Sequence, residues 1–159
     1  MADGSALTHV TPDGAAHMVD VSDKAVTKRV ASAQAVVHTR PDVIALLASG
    51  SLPKGEPLAV ARVAGIMAAK QTSNLIPLCH PLPIAGVSVE FEIAESSVRI
   101  TTSVKTTGVT GVEMEALTAA SVAALTVYDM IKAVDRGARV TDIEVLAKSG
   151  GQSGDWSRG

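Results

Sequence analysis

The chain has 159 residues and a mass of 16.2 kDa, a length that suits one domain over residues 1–159. Hydrophobic residues make up 47% and charged residues 19%, which excludes a generally disordered chain; aromatics at 2% (Phe91, Tyr128, Trp156) disfavour base-stacking nucleic-acid folds that depend on exposed rings. A formal net charge of -2 supplies no global positive field for nucleic acid or an anionic membrane, so an anionic ligand needs a local cluster of cations.

Residues 1–6 and 152–159 are small and polar and read as flexible tails. Residues 25–39, rich in Val, Thr and Ala, read as a strand whose two faces differ little. Pro41 near the start and Gly50 past the end bracket a short helix over residues 42–49. Residues 58–71 are Ala-rich with Val, Ile and Met, a helical composition. Val87, Val89, Phe91 and Ile93 alternate with polar residues, as do Val98, Ile100 and Val104 after a turn at 94–97: two half-buried strands. The longest helical stretch is 112–134, with Gly137 to end it, and residues 139–147 form a last strand. This is the βαββαβ order of an α+β ferredoxin-like fold, an antiparallel sheet with helices on one face. The other face is left for solvent or another subunit.

Asp129 and Lys132 are the only charges between Ala116 and Val134 and stand i, i+3 on one helical face. Spacing alone reads as a solvent-exposed ion pair. The apolar surroundings read otherwise, as a helix buried in a core or interface, where desolvation moves both groups toward neutrality and suits them to proton transfer. Pro77, Pro81 and Pro83 stiffen the loop that carries Cys79 and His80, which is either a structural crossover or a preoriented imidazole. Adjacent Cys79 and His80 suit one zinc ion poorly, and there is no second cysteine. Glu113 and Glu115 follow Gly111 in the first turn of a helix, where they complement the dipole and also line a close-approach backbone. Lys148 precedes a Gly/Ser-rich stretch that could turn N–H groups toward phosphate, although it is no P-loop. Lys54 and Lys70 are further anion contacts or plain solvated lysines. A single cysteine, no apolar run of membrane length and no signal-like N-terminus point to the cytoplasm.

Taken together, LTHV, AHMVDVSDKA, ARVAGIMAAK, LIPLCHPL, TGVEMEALTAASVAALTVYDMIKAV and LAKSGGQSGDW span residues 7–156. In these stretches the chain resembles the cyclic pyranopterin monophosphate synthases, the molybdenum cofactor biosynthesis protein C family. The resemblance implies a ferredoxin-like subunit in a homohexamer, a trimer of dimers with active sites between subunits. It implies a small-molecule substrate, (8S)-3',8-cyclo-7,8-dihydroguanosine 5'-triphosphate, converted to cyclic pyranopterin monophosphate and diphosphate. No cofactor, metal, nucleic acid or membrane is expected. By position it implies Asp129 and Lys132 as the catalytic pair. Leu78, Cys79, His80, Glu113, Met114 and Glu115 would contact substrate, with Lys54, Lys70 and Lys148 around it. Val109 stands where relatives often carry a basic residue, so one peripheral phosphate contact is either missing or supplied by Lys105. On this basis Lys132 is expected as general acid with Asp129 its partner or a base, and His80 and the lysines as neutralisers of the triphosphate. Glu113 and Glu115 would accept from the guanine-derived edge. The competing class is a non-catalytic ferredoxin-like binding module using the same basic pocket.

Overall fold

The computed structural model describes residues 7–52 and 54–159, so the tail expected over residues 1–6 lies outside the described residues. In chain order the elements are β1 (Thr27–His38), α1 (Pro41–Ser49), α2 (Pro57–Leu75), β2 (Ile84–Ile93), β3 (Ser97–Gly108), α3 (Glu113–Ile131), β4 (Arg139–Ser149) and β5 (Trp156–Ser157). The strands form one antiparallel sheet in the order β2-β3-β1-β4-β5. The first four follow the ferredoxin-like split βαβ arrangement, and α2 and α3 cover one face.

Alanine sets the spacing of the layers. Ala31, Ala33, Ala35 and Val37 alternate on the helix side of β1, and Ala116, Ala119, Ala120, Ala123 and Ala124 face them from α3, all buried. Small side chains let helix and sheet approach closely enough for Thr102 Oγ1 of β3 to donate to Ala116 O of α3 at 2.7 Å. The same closeness joins the helices. A Cβ on Gly65 of α2 would lie 3.0 Å from Ala119 O, 3.2 Å from Val89 Cγ2 and 3.3 Å from Ala123 Cβ. A core packed this tightly needs few aromatic rings to fill it. Helix α3 is long and apolar enough, by length and composition, to cross a membrane, contrary to the expectation that no stretch is; here it is the central helix packed on the sheet.

The uncovered face of the sheet carries a polar chain. Arg99 Nη1 donates to Gln34 Oε1 at 3.2 Å, Gln34 Nε2 donates to Glu144 Oε1 at 3.0 Å, and Arg158 pairs with Glu144 at 3.5 Å while lying over Trp156. These pairs give both the oxygen and the nitrogen of the buried Gln34 amide a partner; the residue is 6% exposed.

Several expected boundaries shift: α2 runs to Leu75 rather than residue 71, and β2 starts at Ile84 rather than residue 87. Helix α3 ends at Ile131 rather than residue 134, and Gly137 belongs to a separate turn where its N–H donates to Asp135 Oδ1 at 2.9 Å. Strand β4 runs on through Lys148 to Ser149, because Ala31 and Val30 of β1 continue the ladder beside it. Residues 152–159, read as a tail from composition, include β5, paired with Ala147 and Lys148, and Arg158 N donates to Leu146 O at 2.8 Å. Gly150 makes the turn before it, at φ 86°, where a Cβ would run into Lys28 O.

Candidate functional site

Helix α2 stops at Leu75 because Pro77 forces the preceding residue out of the helical region, and Ile76 is extended at φ -109°, ψ 110°. The chain then turns, with Cys79 N donating to Ile76 O at 3.1 Å, and Thr106 Oγ1 grips Pro83 O at 2.7 Å as β2 begins. This loop sets Leu78, Cys79 and His80 against the first turn of α3. With Glu113, Met114 and Glu115, they line a cavity of about 220 Å³, closed from the other side by Thr8, His9, Val19, Val21 and Lys24.

Glu115 is 3% exposed, and burial raises its carboxyl to about pKa 7, with the neighbouring Glu113 pushing the same way. Burial first, and then Glu115, raise the Cys79 thiol above its ordinary value, so it is a neutral wall and not a ready nucleophile. His80 Nε2 stands 2.7 Å from Val19 O. A second cavity, of about 510 Å³, adjoins the first and shares Lys24, Thr110, Gly111 and Glu113 with it. Its own walls include Thr27, Arg29, Lys148 and the turn from Gly150 to Ser153. Lys148 Nζ stands 3.5 Å from Glu113 Oε1 and donates to Ser153 Oγ at 2.6 Å, so this ion pair sits where the two cavities meet.

The other end of α3 holds a second cluster. Lys132 Nζ is 2.7 Å from Asp129 Oδ1, and Lys54 Nζ is 3.5 Å from Oδ2 and donates to the Asp129 carbonyl at 3.2 Å. Lys54 thereby satisfies one of the free carbonyls at the negative end of the helix. The side chains are 56% (Asp129), 51% (Lys132) and 49% (Lys54) exposed. This corrects the expectation of a buried pair: within one chain, Asp129 and Lys132 are open to solvent. Their hydrogen bond, chiefly, drives them away from neutrality; Asp129 is held below the usual carboxylate range and Lys132 above its ordinary value.

The structure therefore groups Leu78, Cys79, His80, Glu113, Met114 and Glu115, with Lys148 next door, at the N-terminal end of α3. It groups Asp129, Lys132 and Lys54 at the C-terminal end. From Glu115 to Asp129 is about 21 Å along the axis at 1.5 Å per residue. Lys70 is exposed on α2, lines neither cavity and pairs with no acid among the described residues. Lys105 lines neither cavity. Lys24 and Arg29 were missed in the sequence. Arg29 sits inside the β1 pattern, where the adjacent charges of Lys28 and Arg29 are the one signal, and it donates to Gly108 O at 3.0 Å and Val109 O at 3.2 Å. Position 109 is thus engaged through its carbonyl.

An antiparallel sheet with helices on one face, a cavity floored by Glu115 and a separate lysine–carboxylate cluster make this a ferredoxin-like α+β chain with a small-molecule-sized cavity. Residues 18–151 match the MoaC family. The chain is 63% identical over 153 residues to the cyclic pyranopterin monophosphate synthase of Corynebacterium efficiens, covering 96% of this chain and 99% of that one. It is 64% identical to the protein of the same name from a Nocardioides species, covering 96% and 95%. To cyclic pyranopterin monophosphate synthase 2 of Mycobacterium bovis it is 59% identical, covering 96% and 91%. The chain belongs to the MoaC family.

Proposed function

We propose that the protein is a cyclic pyranopterin monophosphate synthase, a lyase of molybdenum cofactor biosynthesis. It converts (8S)-3',8-cyclo-7,8-dihydroguanosine 5'-triphosphate to cyclic pyranopterin monophosphate and diphosphate. The single observation that carries this reading is identity of 59–64% over 96% of the chain with proteins bearing that name. The chemistry of the site agrees. The conversion rearranges rings and exchanges phosphate bonds with no net redox change, so its needs are proton transfer and charge neutralisation.

Lys132 serves as general acid, since its pairing with Asp129 keeps it an ammonium. Asp129, held as a carboxylate, orients that ammonium. Lys54, Lys70 and Lys148 neutralise phosphates, and Leu78, Cys79, His80, Glu113, Met114 and Glu115 receive the guanine-derived part. Because the two clusters lie at opposite ends of α3, one reacting centre needs residues from two copies. The working form is a homohexamer, a trimer of dimers, in the cytoplasm. The exposed Asp129–Lys132 pair is the observation that favours the other reading, a binding module without turnover. Incubation of purified protein with the cyclic triphosphate separates them. Release of diphosphate together with cyclic pyranopterin monophosphate is expected, and binding without either product supports the module.

A further inference from the structure

Residues 7–24 meet the rest of the protein through very little. They contain neither helix nor strand; one bridge pairs Val10 with Ala16, and their backbone bonds close on themselves, as from Thr11 N to Ala15 O at 2.8 Å and His17 N to His9 O at 3.0 Å. Asp20 Oδ1 accepts from both the amide and the hydroxyl of Ser22 and fixes a turn. Among the described residues, a single hydrogen bond joins this segment to the body, from His80 Nε2 to Val19 O at 2.7 Å, and no ion pair does. Yet Thr8, His9, Val19, Val21 and Lys24 make one wall of the cavity whose floor is Glu115.

A carbonyl oxygen only accepts, so Nε2 carries the hydrogen. The neutral Nε2–H tautomer and the imidazolium both make this bond, and only Nδ1 is left to face any ligand. Pro77 and Pro81 stiffen the loop around His80, so the ring is held from the rigid side and the segment from the loose one. We infer that His80 is a positioning residue that latches residues 7–24 across the cavity as a strap. Its effect on turnover rests on the cyclase reading above; the latch itself does not.

The test is limited proteolysis of the full chain without substrate, following tryptic cleavage after Lys24 by mass, with Lys28 in β1 as internal control. His80→Leu fills much of the ring's space without a donor, and His80→Gln returns an N–H close to where Nε2–H stood. Cleavage after Lys24 is expected to be about five- to tenfold faster in His80→Leu, the weight of one hydrogen bond, and near the parent rate in His80→Gln. His80→Ala carries the same comparison if the leucine variant does not fold. With substrate, the leucine variant is expected to raise KM more than it lowers kcat, and His80→Gln to recover the part of that rise that comes from the latch, the ring's own contact with substrate being lost in both. Unchanged cleavage after Lys24 in both His80→Leu and His80→Ala overturns the latch. A glutamine variant with parent-like cleavage but turnover as low as the leucine variant overturns the positioning role and assigns the imidazole to the chemistry itself. Absence of turnover in the parent sinks the cyclase reading and leaves the proteolysis result standing.

Discussion

Glu115 and Asp129 are carboxylates on one helix with opposite titration. The buried Glu115 titrates near pH 7 in the folded chain against an ordinary value of 4.5, so between these values the unfolded chain loses its proton first. Stability is therefore unpenalised below pH 4.5, falls as pH rises through that window, and is lower by about 3 kcal/mol above pH 7. Glu115→Gln removes the group. Urea unfolding is expected to show the variant matching the parent near pH 4.5, exceeding it at pH 8, and sloping less in between; equal slopes contradict the burial argument. Asp129 is solvated and held as a carboxylate by two lysines. Asp129→Asn keeps the shape and removes the charge. Its unfolding midpoint should stay with the parent's, while single-turnover rate falls by roughly 10²–10⁴ if it orients the acid. Lys132→Ala should lose at least as much, and the double variant little more, because residues acting as a unit are non-additive. Near-parent turnover in Asp129→Asn would return the pair to a surface ion pair.

The close packing of α2 on α3 depends on Gly65. Alanine there gains helix propensity of about 1 kcal/mol, but its Cβ meets Ala119 O at 3.0 Å, and that carbonyl belongs to a helix already pressed on β1. Crowding of this kind costs about 1–3 kcal/mol, so the contact wins. Gly65→Ala is expected to lower Tm by up to about 8 °C, and a raised Tm would show that the two helices can part freely. The sequence carried this element-level information well. Pro41 and Gly50 bracketed α1, the alternation of Val87 to Ile93 and Val98 to Val104 marked β2 and β3, and the βαββαβ order foretold the sheet. It carried less where partners are remote in sequence. Lys148 looked like the start of a loop because its strand status comes from Ala31, and Trp156 looked like tail because its pairing comes from Lys148. Local reading marked a stiff loop in LIPLCHPL and a helix start in GVEMEAL; that the two line one cavity was implied only by the family resemblance, because their meeting depends on the fold. Arg29 and Lys24 were not legible, because nothing near them reveals which cavity they wall. The apolar run of α3 misled about Asp129, which shares the outer face of the helix with exposed Leu125 while Val127, Met130 and Ile131 bury the other face.

The whole molecule leaves two observations that one copy does not reconcile. The outer face of α2 exposes Val60 (47%), Val63 (57%) and Met67 (59%), at the helical spacing of a contact stripe. Asp129, which holds the proposed acid, and Glu115 of the proposed substrate cavity stand about 21 Å apart along one helix, too far to act on one centre. The proposed packing of copies would answer both, if it covers the stripe and brings the C-terminal end of one α3 beside the N-terminal end of another. Asp129→Asn and Glu115→Gln then damage different halves of a shared site. Each pure variant should be nearly inactive at pH 8 if both residues are needed. Unfolded together in equal amounts and refolded, they should regain activity, because about a quarter of the sites would draw an intact Asp129 from one copy and an intact Glu115 from the other. A site contained in a single chain would yield no recovery at any mixing ratio. Light scattering on the same samples supplies the control, since regained activity must come with an assembly larger than one chain.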